Sequence, residues 1–134
     1  MPTPRAELKS AIIDRLNAVC QEHPMGHQGA YANRYIFKGE NGTTTEILFE
    51  KSDRSPANLW VLETLLAPAA NAGVSWKSSP ASKLYQSPGA NGKMKYGRHS
   101  ALEKMDILGK ADLACVNLSS VQQLDRILDA LDAA

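Results

Sequence analysis

The chain has 134 residues, of which 43% are hydrophobic and 22% charged, with a net charge of +1 and two cysteines. That length and balance describe one domain, residues 1–134, able to bury a conventional core, and they exclude a disordered chain and a disulfide scaffold. No apolar run approaches the roughly 18 residues that cross a bilayer, and "MPTPRAELKSAII" lacks the pattern of a secretory signal, so a cytoplasmic protein with no membrane partner is expected.

Thr3 followed by Pro4 has the form of an N-cap and a first-turn proline. The spacing of Leu8, Ile12, Leu16 and Val19, with Ala11 and Cys20 beside them, predicts an amphipathic helix whose apolar stripe is core, with Arg5, Lys9, Asp14 and Arg15 off it. His23-Pro24 is its expected end, because the residue before proline is pushed out of the α region. Helical spacing then gives way to alternation. Tyr31, Asn33, Tyr35 and Phe37 fall on one side of a strand, and Ala32, Arg34, Ile36 and Lys38 on the other. "GENG" supplies turn residues, and "TTTEILFE" alternates again with Thr45, Ile47 and Phe49 on one face. The two runs predict a hairpin covered by the first helix.

"KSDRSP" reads as a polar turn. In "ANLWVLETLL", Ser55-Pro56 can open a helix, whereas the bulk of Leu59-Trp60-Val61-Leu62 suits a buried strand; the strand is preferred because it extends the hairpin into a meander. "APAANAG" is a loop and Val74-Ser75-Trp76 a short extended piece. "KLYQ" and "KMKYG" flank the turn formers of "SPGANG" and predict a second hairpin with lysines on its exposed face. Ser100 and Glu103 have capping-box spacing, which starts a short helix running to Gly109. "ADLACVNL" is a further strand, and Ser119 or Ser120 caps a last helix with Val121, Leu124, Ile127, Leu128 and Leu131 in its stripe. The fold class is α+β: a single mostly antiparallel sheet, meander plus hairpin, with the N- and C-terminal helices packed on one face.

Charge is unevenly placed. Residues 76–104 hold six basic side chains and only Glu103, whereas 105–134 hold two basic and five acidic ones. In the basic segment Lys77, Lys83, Lys93, Lys95 and Arg98 can follow phosphates, while Tyr85 and Tyr96 offer faces on which bases stack. The leading expectation is a binding module for nucleic acid or another polyanion. His99 stands beside Arg98 before a predicted helix N-terminus, where an anion is favoured. This gives the alternative of an enzyme on phosphorylated or phosphodiester substrates, with His99 as acid or base. A third expectation is a protein-interaction module without chemistry.

Other motifs fall away on spacing. "GANGKMK" has two residues between its glycines where a P-loop has four, and Met94 follows Lys93 in place of Ser or Thr. His23 and His27 are separated by Pro24 and Gly26, which forbid the helix a metal pair would need, so a surface loop without metal is expected. Glu50 adjoins Lys51 without the spacer of a metal-dependent nuclease. Glu46 and Glu50 share one face of their strand and read as a solvated outer face. Cys20 and Cys115 lie in apolar patterns as buried thiols, and no cofactor is implied.

Overall fold

The computed structural model describes residues 4–40, 42–70, 73–84, 87–88 and 94–133, without the side chains at 67, 68, 83, 87, 88, 94, 95 and 100. Helix α1 (Pro4–Val19) carries Pro4 in its first turn, where the missing N–H costs nothing; Thr3 lies outside the described residues. The helix ends at Val19, short of His23, because Gln21–Glu22 form a two-residue edge strand, β1, paired with Ile36 and Tyr35. Strands β2 (Ala32–Lys38) and β3 (Thr44–Glu50) make the expected hairpin, in register from Ala32↔Glu50 to Lys38↔Thr44. Gly42 turns the chain with φ +86°, a conformation that glycine reaches without strain.

The ambiguous run is a strand, β4 (Asn58–Leu62), and "APAANAG" contains a short helix, α2 (Ala67–Ala70). The extended piece expected at Val74-Ser75-Trp76 falls slightly later, as β5 (Lys77–Ser79). The second hairpin is the ribbon of β6 (Ser87–Pro88) and β7 (Met94–Lys95), with Ser87↔Lys95 and Pro88↔Met94 paired. In place of a helix from Ser100 to Gly109 there is one 3-10 turn, Ser100–Leu102, followed by further turns. Gly109 closes them with an N–H bond to Met105 O at 3.0 Å, and a Cβ there would lie 2.5 Å from the same oxygen. After β8 (Leu113–Asn117) comes α3 (Val121–Asp132), capped by the Ser120 hydroxyl accepting from Gln123 N–H at 3.2 Å.

The main sheet has six antiparallel strands in the order β1-β2-β3-β4-β8-β5. Strand parity assigns its two faces. On one face Tyr35, Phe37, Ile47, Phe49, Leu59 and Val116 meet Ile12 and Leu16 of α1 and the stripe of α3, so both terminal helices cover the same side. On the other face Ala32, Leu48 and Leu113 are buried beneath Leu84, Tyr96, Leu102, Met105 and Leu108, supplied by the irregular segment 81–111. No helix among the described residues is long and apolar enough to cross a membrane.

This second layer overturns the expected polar outer face. Glu46 and Glu50 are 2% and 8% exposed. Glu46 Oε1 accepts from the backbone N–H groups of Ile107 and Leu108, at 2.7 and 2.9 Å, and its Oε2 meets His23 Nε2. His23 is correspondingly buried and is not a surface-loop residue. Its Nδ1 accepts from Met25 N–H at 3.0 Å, so Nε2 carries the proton given to Glu46. One carboxylate thus latches the second layer to the sheet. Lys9, expected off the helix stripe, is also buried, because its ammonium donates to the carbonyls of Ser52 and Ser55 and fastens α1 to the turn after β3. Burial, and then the nearby Arg5, lower its pKa from 10.5.

Candidate functional site

The second layer is incomplete over the β4-β8-β5 end of the sheet, and a cleft of about 570 Å³ opens there. Register builds its floor. Trp60 pairs with Cys115 and Cys115 with Lys77, and in the next row Asn58 pairs with Asn117. Because all five share one parity, they project to the same face. Ser79, Pro80, Leu84, Gly97 and Arg98 line the cleft as well.

The half-buried Trp60 is fixed by its indole N–H, which donates to Glu50 Oε2 at 2.7 Å. That bond gives the buried Glu50 carboxylate, which projects from β3 on the same sheet face, a partner. Cys115 is held as a neutral thiol: burial and the charge of Glu50 raise its pKa to about 12, with Lys77 opposing. Lys77 is exposed, and among the described residues its ammonium has no hydrogen bond or ion pair. Nor do the side-chain amides of Asn58 and Asn117 donate to any described residue. Among the described residues the lining includes Lys77 and Arg98 and no carboxylate.

Arg98 forms part of the wall. Its guanidinium donates to Ser79 Oγ at 2.8 Å, Ala111 O at 2.7 Å and Leu108 O at 3.4 Å, and also to Ser79 O. These partners are neutral, so the fork is occupied while its positive charge stays uncompensated by any acid in the wall. Tyr96 is buried, with its hydroxyl donating to Gly109 O at 2.6 Å, and its ring belongs to the second core. His99 is half-buried and does not line the cleft; its Nδ1 accepts from Ala101 N–H at 3.1 Å, capping the turn that follows.

The root of the ribbon lies at the cleft. Gly97 N–H donates to Leu84 O at 2.8 Å, which closes the root of the ribbon, and both residues line the cleft. Lys95 belongs to β7 and Lys83 to the turn before β6, while Tyr85 and Lys93 lie outside the described residues. Fold and ribbon therefore bring Lys77 and Arg98 into one concavity and root the Lys83–Lys95 interval at its edge. They leave Tyr96 and His99 out of it.

Comparison with protein-family models, curated proteins and solved structures finds no match. Function is therefore read from the geometry alone. Among the described residues no group of three or more His, Cys, Asp or Glu is placed to hold a metal ion. His27 is engaged separately from His23: its Nδ1 accepts from Arg34 N–H at 3.0 Å and its Nε2 lies 3.4 Å from Glu22.

Sequence reasoning missed Asn58, Trp60, Ser78, Asn117 and Cys115 as members of a site. The pairing of strands 55 residues apart, Trp60 with Cys115, is invisible along the chain. One signal was present: "LWVL" and "LACV" are apolar at both parities, which marks central strands covered on both faces.

Proposed function

We propose that this domain binds nucleic acid, as a polyanion, through the cleft and the ribbon at its rim. The observation that carries the reading is a concavity lined by Lys77 and Arg98, with no carboxylate among its described lining residues, at the root of a ribbon whose interval holds Lys83, Lys93 and Lys95. Such an arrangement concentrates positive field where low-dielectric walls focus it. Lys77 and the ribbon lysines contact phosphates, and Tyr85 adds a stacking face. Arg98 contributes its field and shapes the wall, while Tyr96 and His99 support the ribbon root and the turn behind it.

The test is fluorescence anisotropy of labelled single-stranded and duplex oligonucleotides between 50 and 200 mM salt. Affinity is expected to fall as salt rises, with a log–log slope of about 0.7 to 0.9 for each neutralised phosphate. Lys77→Ala should lower that slope by about one such increment. Absence of binding at micromolar protein, or an affinity indifferent to salt, overturns the proposal.

A further inference from the structure

The geometry points to a more specific ligand: we infer that the cleft receives one unpaired nucleobase, so that the domain selects single-stranded over duplex nucleic acid. This inference rests on the polyanion reading and deepens it. Four observations carry it.

First, the floor presents a large aromatic side chain in a defined orientation. Trp60 is held by the 2.7 Å bond to Glu50, its neighbour on the same sheet face, leaves part of its surface to the cleft, and packs otherwise against the second core. Base–aromatic stacking is tolerant of base identity, because every base has a π-face, and an aromatic on an open sheet face is one way to present such a platform. Second, Asn58 and Asn117 face each other across β4 and β8 beside the indole, and their amides donate to no described residue. Each amide offers both a donor and an acceptor, the complement of a base edge that is exposed only when the base is unpaired. Third, Lys77 lies in the same row as Trp60, two strands away, which at about 4.8 Å per strand spacing is a reach of roughly 10 Å. That matches a phosphate attached to a base stacked on the indole. Fourth, about 570 Å³ is room for a single nucleotide unit, whereas a duplex cannot enter a concavity that small.

The chemistry of the floor also argues against an anionic metabolite rich in carboxylates as the main occupant. Among the described residues Lys77 alone offers a free cation there, because the fork of Arg98 is already spent on four oxygens. The remaining floor is aromatic, thiol and amide, which suits a planar, neutral, hydrogen-bonding ring.

The experiment uses the full chain with Trp76→Phe, so that Trp60 is the single tryptophan reporter of the two in the sequence. Its emission is followed while oligothymidylate, the same strand annealed to its complement, and inorganic polyphosphate are titrated in, with anisotropy or competition read in parallel. Oligothymidylate should quench Trp60 and bind at least tenfold more tightly than the duplex, and polyphosphate should compete without quenching. Asn58→Ala/Asn117→Ala, which leaves the aromatic floor in place, should weaken oligothymidylate at least fivefold with the salt slope unchanged. Trp60→Leu should weaken it roughly 5- to 150-fold. Salt-sensitive binding with silent Trp60 emission, or equal affinity for strand and duplex, overturns the base pocket and leaves the polyanion reading standing. Failure of all three probes to bind overturns both.

Discussion

Replacing Glu46 by alanine removes the acceptor for three donors at once: the backbone N–H groups of Ile107 and Leu108 and the Nε2–H of His23. A buried donor left unsatisfied costs about 1–3 kcal/mol, so the three together cost roughly 3–9 kcal/mol. Removing the carboxylate also removes its own burial cost, which offsets part of this. A net loss of about 3–5 kcal/mol is expected, the range found when one partner of a buried charged contact is deleted. Against a total stability of roughly 5–15 kcal/mol, that places Glu46→Ala near the limit of folding. Glu46→Gln separates the two sides of the latch. Its carbonyl can still accept from Ile107 and Leu108, but its NH₂ faces the Nε2–H of His23, so one bond is lost and the cost should be about 1–3 kcal/mol. Urea unfolding followed by tryptophan fluorescence gives both values, and hydrogen exchange locates them: the Ile107 and Leu108 amides should lose protection in the alanine variant before the β2–β3 amides do. A Glu46→Ala protein within about 1 kcal/mol of the parent, with Ile107 and Leu108 still protected, refutes the latch.

Arg98→Lys keeps the charge but loses the fork that reaches Ser79, Leu108 and Ala111; it should cost about 2–3 kcal/mol in urea unfolding while changing oligonucleotide affinity less than twofold. Loss of binding at unchanged stability would instead make Arg98 a direct ligand contact. Burial depresses the pKa of His27 below 6.5, with Lys51 and Arg34 adding to the effect and Glu22 opposing it. Just below pH 6.5 the unfolded chain therefore binds a proton that the folded chain refuses, and stability present above that pH falls as the pH drops through it. His27→Gln should flatten this slope when urea midpoints are compared at pH 7.5 and 5.5, and equal slopes would contradict the assignment. Burial raises the Cys20 thiol to about 12, and burial with the charge of Glu50 does the same for Cys115 on the cleft floor, so both should stay protonated at pH 8 and alkylate with iodoacetamide far more slowly than in the unfolded protein, as mass spectrometry would read. Rapid native labelling of either one contradicts that burial.

What the sequence made legible was periodic. The alternation of 31–50 placed a hairpin and the parity of its two faces, although β2 begins at Ala32 and leaves Tyr31 exposed, and the stripe of the last helix, with Ser120 before it, placed α3 and its cap. Both signals arise within one element and survive whatever packs against it. The second layer was not legible, because 81–111 has no sustained period: it covers the sheet with single apolar residues hung on turns. Strand parity shows which face Glu46 and Glu50 share, but not what lies over it, and the usual solvated face of an antiparallel sheet gave the wrong environment. Lys9 misled for a related reason. Its long stem lets the charged head reach the Ser52 carbonyl 43 residues away, and no local pattern encodes that reach.

The candidate site follows from the same layer. Segment 81–111 hides the β2-β3 side of the second face completely enough to bury Glu46, and at the cleft its cover stops at Leu84 and Gly97, which are bonded to each other at the root of the ribbon. Beyond that edge the row Trp60, Cys115 and Lys77 is left without a cover. Filling the cleft with apolar residues would bury more surface, at about 25 cal/mol per Å² of gain. The sequence instead places Asn58, Asn117 and Lys77 there, groups that favour solvent or a polar ligand over a closed core. Glu50, on the same sheet face in the neighbouring strand β3, is bonded to the Trp60 N–H and is not among the described lining residues, so it fixes the indole from beside the floor. Glu50→Gln should therefore disturb the orientation of Trp60, and with it any stacking, more than it changes the charge that a phosphate meets at Lys77. In the single-tryptophan protein, a loss of oligothymidylate quenching with an unchanged salt slope would bear this out; a changed slope with intact quenching would show Glu50 acting on the ligand through its charge.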